Sequence, residues 1–265
     1  MAEITHVVES YLDWDRPTLI VDAAWVKRRI EIFEKYTLRS LLGQAFKEFR
    51  IFLQCGSRNR AVTEAHAWHP QVETCYEGGA KLYGAIDTDF LAITRIDSDD
   101  AFHRHAMAMV QETAARTARR SGKLKRVKYY AFKKNICWDI LNHFVIPHIR
   151  PSTPFVTRIY PRIIYKNPPL FNNLHFRAHG GGGLGDRQAV EIAQNMVCVI
   201  KHGLNTSEFK HGRQHKILTD EEKAQLIITK THSDEWTTWK VKWILTDKAK
   251  MIKILEPFGI PAEEV

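Results

Sequence analysis

The spacing of apolar positions along the chain predicts alternating strands and helices. Short apolar runs that predict strands occur at ITHVVES, FRIFLQCG and DFLAITRI, and the last is continuous enough for a buried strand. Between the first two, a helix opened by Asp22 as N-cap would turn one face toward the core, formed by Trp25, Ile30, Phe33 and Leu41 or Leu42. A strand, a helix and a strand with a crossover of this length form a βαβ unit, which favours a parallel sheet.

The second half of the chain continues this alternation. VETCY and NMVCVIKHG predict further strands, and DAFHRHAMAMVQETAARTARR predicts a helix rich in Ala and Met. FVTRIYPRIIYK predicts a strand that Pro161 places at a sheet edge or bends. From LTDEEKAQLI onward the pattern is helical, and the spacing of Trp236, Trp239 and Trp243 is typical of a helix packed on a core. We therefore expect an α/β domain over residues 1–212 and a helical extension over 213–265 packed on it.

Composition indicates a globular protein. Of 265 residues 44% are hydrophobic and 26% charged, which excludes disordered and fibrous classes. No apolar run reaches the roughly 20 residues of a membrane span, and the N-terminus lacks a basic segment followed by an apolar core, so we expect a cytoplasmic protein without a transmembrane segment. The cysteines are scattered without a CxxC pair, which indicates reduced, structural thiols: Cys55, Cys75, Cys137 and Cys198.

Three carboxylates crowd together directly after the DFLAITRI strand. Asp97, Asp99 and Asp100 fall within four residues, and ligands of open α/β sheets bind outside the carboxyl ends of the strands. Neighbouring carboxylates repel unless a cation neutralises them, and oxygen ligands suit Mg²⁺ or Mn²⁺, usually together with phosphate. The alternative is an Asx-rich turn that caps a helix starting at Ala101.

Three segments carry a resemblance to a known family. The segment AAWVKRRIEIFEKYTLRSLLGQAFKEFRIFLQCG, the motif TRIDSDDAFH and the later VCVIKHGLNTS resemble the rhamnosyltransferase-like glycosyltransferases of bacteria and phages, which belong to the broad GT-A class. The resemblance covers residues 4 to 207, although Arg39 stands where the family has proline. It implies a Rossmann-like GT-A sheet, mostly parallel and flanked by helices. It also implies metal-dependent transfer of a sugar from a nucleotide sugar, such as a UDP-sugar, to a hydroxyl group.

The resemblance also implies roles for the aspartates. Asp97 would face the nucleotide ribose, and Asp99, with Asp100, would hold Mn²⁺ or Mg²⁺ bridging the donor's diphosphate. His202 would be a further metal ligand, with His179 as its rival, although a histidine after an apolar strand is commonly structural.

Other candidates serve the donor and the acceptor. Arg28, Arg29 and Arg95 could bind phosphate through bidentate contacts, with ordinary surface charges as the alternative. Asp186 and Asp139 are candidates for the general base that an inverting transfer requires. Asp186 is the last residue of the loop HGGGGLGD, which could close over the donor or simply connect two elements.

A basic window, Arg116 to Lys134, holds nine Lys or Arg and no acidic residue, as much as the chain's net charge of +9. Such a window suits a polyanion, whereas a solvated helix face normally interleaves acids. The predicted DNA contacts are Arg116, Arg119, Arg120, Lys123, Lys125, Arg126 and Lys128.

The basic window makes DNA the favoured acceptor. The favoured acceptor is a 5-hydroxymethylpyrimidine of phage DNA, which places the protein in the host cytoplasm. Extrusion of the base from the duplex is one route by which it could reach the site. The alternative is a cell-surface glycan or lipid-linked sugar, with the window on anionic lipid head groups. A third hypothesis is a noncatalytic DNA-binding protein whose aspartates only cap a helix.

Overall fold

A computed structural model describes residues 2–12, 22–76, 80–120, 126–149, 153–175, 189–203, 217–219, 221–222, 233–234, 237–238 and 244–265. The strands are β1 Ile4–Tyr11, β2 Arg50–Gln54, β3 Val72–Cys75, β4 Phe90–Asp97, β5 Ala101–Phe102, β6 Lys128–Ala131, β7 Lys134–Asp139, β8 Phe144–Ile149, β9 Val156–Pro161, β10 Val190–Glu191, β11 Val197–Lys201, β12 Ser233–Asp234 and β13 Thr237–Thr238. The α-helices are α1 Ala23–Ile32, α2 Arg39–Leu42, α3 Arg60–Glu64, α4 Ala80–Ala85, α5 Ala106–Arg120, α6 Arg162–Tyr165, α7 Pro168–His175 and α8 Lys248–Leu255.

The central sheet has seven strands in the order β10-β6-β9-β4-β1-β2-β3. Strands β3, β2, β1 and β4 are parallel, β9 runs antiparallel to β4 and β6, and β10 is parallel to β6. All but the last residue of β4 are buried, as its continuous apolar run predicts for a central strand. The predicted α/β class, with a mostly parallel sheet flanked by helices, is confirmed.

Helices cover both faces of this sheet. Val26 and Ile30 of α1 pack with Val8 of β1 on one face, where Asp22 caps the helix by accepting a hydrogen bond from the Trp25 N–H at 2.7 Å. On the other face, Phe171 of α7 joins the cluster that contains residues of β1, β2, β4 and β9. Between α1 and α2 the helix takes a π-helical form over Phe33–Leu38.

A second sheet has the order β5-β11-β7-β8. The C-terminal segment packs on it, because Met251 and Leu255 of α8 and the following Phe258 share a buried cluster with Trp138 of β7. Cys55, Cys75, Cys137 and Cys198 are buried and form no disulfide.

Of the two alternatives predicted for Pro161, the bend is confirmed and the edge strand is not, because β9 lies between β4 and β6 and the chain turns into α6 directly after Pro161. Two other predictions about local structure are wrong. Helix α5 begins at Ala106 rather than Ala101, since Ala101–Phe102 pairs with β11. The antiparallel pair β12–β13 occupies a stretch predicted as helix, where β-branched threonines disfavour helix; the three tryptophans lie outside the described residues.

His6 on β1 is a buried histidine that should make stability depend on pH. It is 5% exposed, its ring packs edge-on against Phe46, and its Nδ1 has no hydrogen-bond partner among the described residues. Burial lowers the pKa of His6 to about 4. The unfolded pKa is about 6.5, so the unfolded state binds the proton first as pH falls.

We therefore expect the free energy of unfolding to fall by roughly 3 kcal/mol between pH 6.5 and pH 4 on account of His6. Urea denaturation at several pH values measures it. His6→Leu should flatten this part of the profile, whereas His105→Leu, at an exposed position, should not. An unchanged slope in His6→Leu would assign the pH dependence to other groups.

Candidate functional site

The aspartate cluster lies at the carboxyl ends of three parallel strands. The register places Tyr11, the last residue of β1, beside Gln54 of β2 and Asp97 of β4. We call this side of the sheet the carboxyl edge and the opposite side the amino edge. The carboxyl edge is where open α/β sheets bind ligands, so the strand ends and the aspartates meet at the expected place.

Asp99 is the centre of a buried charged group. Its Oδ2 accepts a hydrogen bond from Arg29 Nη1 at 2.9 Å and lies 3.3 Å from His202 Nε2. Arg29 Nη2 also donates to Ser98 Oγ at 2.6 Å. The side chains of Arg29, Asp99 and His202 are 5%, 11% and 7% exposed. Helix α1, the loop after β4 and the end of β11 thus bring two predicted metal ligands and a predicted phosphate ligand together.

The charges around Asp99 decide its protonation state. Burial alone would raise the pKa of this carboxyl group, but the Arg29 guanidinium and the hydrogen bond from His202 hold the pKa well below its usual range. Asp99 is therefore a carboxylate at neutral pH. The Asp99 oxygen and the His202 nitrogen lie close in space although the two residues are 103 positions apart in the sequence.

Asp100 has a different environment. Its Oδ1 accepts a hydrogen bond from the Ile200 N–H of β11 at 2.9 Å, and its carbonyl accepts from Thr37 Oγ1 of the π-helical turn at 2.7 Å. Its backbone N–H donates to the Asp97 carbonyl at 3.2 Å. Asp100 therefore joins the loop at residues 97–100, which we call the aspartate loop, to β11 of the second sheet. The helix-cap interpretation of the cluster is wrong, because α5 begins six residues later at Ala106.

Asp97 is the more accessible of the two carboxylates that the motif assigns to donor and metal. Its side chain is 38% exposed, against 11% for Asp99. Arg95 Nη2 lies 3.4 Å from Asp97 Oδ1, and the Arg95 guanidinium lies 4.6 Å from the centre of the Tyr11 ring. A buried arginine, 7% exposed, thus lies behind an open carboxylate.

A buried carboxylate that the sequence analysis missed lies beneath this pair. Glu9 of β1 is 1% exposed and accepts hydrogen bonds from four side chains, Tyr11, Gln54, Tyr83 and His175. Burial would raise the pKa of Glu9, but His175 and the hydrogen bonds hold it well below its usual range. A charged residue inside the apolar run ITHVVES was the available signal, because such residues are rarely buried without partners.

Of the two predicted general bases, the structure describes Asp139. Asp139 ends β7, paired with Lys201, the residue before His202. It is 5% exposed, and its two oxygens accept hydrogen bonds from the backbone and side-chain N–H groups of Asn142 at 2.9 and 3.1 Å. Asp186, the glycine loop and His179 lie outside the described residues. Arg28, next to Arg29 on α1, is exposed.

The end of α5 and the start of β6, which carry the described cations of the basic window up to Lys128, lie toward the amino edge, across the sheet from the aspartates; Lys134, the last residue of the window, begins β7 of the second sheet. Helix α5 starts against Ile96 near the end of β4 and finishes where Ala118 packs with Phe90 at its beginning. Because β4 has eight residues, the two edges are roughly 23 Å apart. Arg116, Arg119, Arg126 and Lys128 are exposed there, Arg120 ends α5, and Lys123 and Lys125 lie outside the described residues.

The described residues contain neither a ready-made three-ligand metal site nor a membrane-spanning helix. No set of three His, Cys, Asp or Glu side chains within them is arranged to hold a metal ion, so Asp99 and His202 form a pair. No helix in the same part of the chain is long and apolar enough to cross a bilayer.

Three solved structures match this chain at low sequence identity. No family model and no curated protein matches the sequence. S. aureus TarS 1–349 matches with 10% identity and a TM-score of 0.36 over 74% of this chain, which spans 60% of that chain. Rv0371c of Mycobacterium tuberculosis H37Rv matches with 12% identity and a TM-score of 0.30 in its manganese complex, over 85% of this chain and 98% of that one. A second Rv0371c structure matches with 14% identity and a TM-score of 0.31, over 86% and 99%. All three TM-scores lie below 0.5 and establish neither a shared fold nor a shared activity.

Proposed function

We propose that this protein is a glycosyltransferase that moves a sugar from a nucleotide-sugar donor to a hydroxyl acceptor. The observation that supports it is the convergence of Asp99, His202 and Arg29 at the carboxyl edge, beside the accessible Asp97. A nucleotide diphosphate carries negative charge that must be neutralised as it leaves. The proposed site offers cations and cation ligands for this purpose, and an open carboxylate able to accept hydrogen bonds from ribose hydroxyls.

The donor set suits Mn²⁺ or Mg²⁺ as cofactor. Asp99 Oδ2 and His202 Nε2 lie 3.3 Å apart, close enough to be ligands of one ion once the proton that His202 Nε2 donates to Asp99 has left. Asp99 is already a carboxylate, because its pKa is held well below its usual range. An imidazole ligand favours Mn²⁺ over Mg²⁺, and donor phosphate oxygens would complete the coordination. When bound, such an ion acts as a Lewis acid toward the leaving diphosphate.

The chain's own residues have separate tasks in this proposal. Arg29 contacts Asp99 and Ser98 and would add a fixed positive charge near the diphosphate, while Asp97, backed by Arg95, would orient the nucleotide. Asp186 and Asp139 both stay candidates for the general base. Both oxygens of Asp139 accept hydrogen bonds from Asn142, so Asp139 would have to give one of them up to take a proton.

The test is a donor panel. Purified protein with Mn²⁺ should release a nucleoside diphosphate from one nucleotide sugar by slow hydrolysis even without an acceptor, and excess chelator should stop the release. Isothermal titration of the same nucleotides, with and without Mn²⁺, measures binding independently. If no UDP-, GDP-, CDP- or dTDP-sugar is hydrolysed, and none is bound in a metal-dependent way, the proposal is contradicted.

For the acceptor we propose DNA carrying a 5-hydroxymethylpyrimidine, docked on the exposed cations of the amino edge. The roughly 23 Å between the edges corresponds to about seven base-pair steps, so a duplex lying along α5 would reach both. A cell-surface glycan or lipid-linked sugar is the alternative, with anionic lipid at the amino edge. The noncatalytic DNA-binding hypothesis loses its premise, because the aspartates do not cap α5.

A further inference from the structure

We propose that Glu9 is a positioning residue for the donor site and acts on Asp97 through Tyr11 and Arg95. This rests on the proposed glycosyl transfer, in which Asp97 orients the nucleotide. Glu9 lies one layer beneath the carboxyl edge and is 1% exposed, so its effect on the site must pass through other side chains.

The two oxygens of Glu9 have different partners. Oε1 accepts hydrogen bonds from Tyr83 at 2.7 Å, Gln54 at 2.9 Å and His175 at 3.1 Å, which lie on α4, β2 and α7. Oε2 accepts a hydrogen bond from Tyr11 at 2.8 Å. Three elements of the scaffold fix Oε1, and this fixes the orientation of the carboxylate. Oε2 is therefore held toward Tyr11.

Tyr11 transmits this constraint to the edge. Burial and the Glu9 charge raise the pKa of Tyr11 well above its ordinary value, so the phenol keeps the proton that it donates. Its fixed ring presents a face to the Arg95 guanidinium, 4.6 Å from the ring centre. Arg95 Nη2 in turn lies 3.4 Å from Asp97 Oδ1. A chain of three contacts thus runs from a fully buried carboxylate to an accessible one.

The arrangement is costly for a residue that only fills space. Removing a carboxylate from water carries a large desolvation penalty, and an apolar residue of similar volume commonly stabilises a core as well or better. At Glu9 four hydrogen-bond donors offset that penalty, and one of them, Tyr11, contacts Arg95 at the proposed donor site. Such supporting hydrogen bonds are how proteins hold site residues in productive geometry.

The test compares two tyrosines that bond the same carboxylate. Tyr11→Phe removes the donor to Oε2, and Tyr83→Phe removes a donor to Oε1 without touching the chain toward Asp97. Both should lower stability. We expect Tyr11→Phe and Glu9→Gln to raise the donor KM about tenfold with a much smaller change in kcat, whereas Tyr83→Phe leaves the KM unchanged. The double variant Glu9→Gln with Tyr11→Phe should be no worse than either single one.

A second readout needs no substrate. Guanidinium NMR of Arg95 should show hindered rotation in the wild type and in Tyr83→Phe, and faster rotation in Tyr11→Phe and Glu9→Gln. Unchanged Arg95 rotation, additive effects in the double variant, or an equal KM increase in Tyr83→Phe would overturn the positioning role. If no nucleotide sugar is turned over or bound but the rotation changes as expected, the proposed function fails and the Glu9-to-Asp97 linkage stands.

Discussion

Asp99→Asn is expected to abolish sugar transfer, with a loss on the order of 10³-fold or more. Asparagine keeps the shape of the side chain but not its charge. It would therefore bind a divalent ion poorly beside His202 and leave the positive charge of Arg29 without its counter-charge. Metal-dependent nucleotide binding should be lost with the activity. Full transfer in this variant, or in wild-type protein with excess chelator, would remove Asp99 from the proposed metal site.

The same substitution is also expected to cost stability, which the sequence alone gave no reason to expect. Arg29 is 5% exposed and faces Asp99 at 2.9 Å, and breaking such a buried pair from one side costs about 3–5 kcal/mol. Asn can still accept a hydrogen bond from Arg29, so the loss should fall at the lower end of that range.

A matched double variant separates the two effects. Arg29→Met with Asp99→Asn removes both charges, so it should recover much of the stability lost in the single variant while remaining inactive. Urea denaturation and the donor-release assay measure the two properties. Recovery of activity together with stability would mean that Asp99 acts only through folding.

The second large effect concerns DNA affinity. Replacing Arg116, Arg119, Arg126 and Lys128 by Gln should make the salt dependence of DNA binding flatter. The negative slope of log affinity against log salt should shrink in magnitude by about 3.6, at roughly 0.9 per phosphate contact. Glutamine has nearly the helix propensity of arginine, so α5 should persist. Donor hydrolysis without acceptor should be unchanged, because these side chains lie toward the amino edge, away from the strand end that carries Asp97.

The control variant removes the same charge elsewhere. Exposed cations of α2 and α8 serve for this: Arg39, Lys248, Lys250 and Lys253. Their replacement by Gln should leave the salt slope nearly unaltered. Equal slopes in both quadruple variants would show that net charge alone attracts DNA. An unaltered slope in the amino-edge variant would make that window a solvated face and favour the glycan acceptor.

The elements that the sequence predicted well are those whose pattern is local. Strand β4 has a continuous apolar run, and the N-cap at Asp22 needs only its own first turn. Ala101–Phe102 was predicted as helix because its neighbours are helix formers, but its pairing with Val197–Cys198 is non-local. Pairings between distant segments leave little trace in a local pattern.

The site shows the same division. The aspartate motif and its resemblance pointed to Asp97, Asp99 and His202, and the structure brings the last two together. Arg29 was expected to bind phosphate, and its pairing with Asp99 could not be predicted, since helix periodicity does not give the partner of a buried arginine. Glu9 was missed because its four partners come from separate elements.

The π-helical turn at Phe33–Leu38 bears on how this chain should be aligned with others. It lies between two α-helical segments, and its Thr37 hydroxyl binds the Asp100 carbonyl at 2.7 Å. A π turn absorbs one extra residue in an otherwise α-helical path. A homologous helix one residue shorter can therefore keep both flanking segments in place as an unbroken α-helix. A single-residue gap at this position would mark the gain or loss of the turn that contacts the aspartate loop, rather than an alignment error.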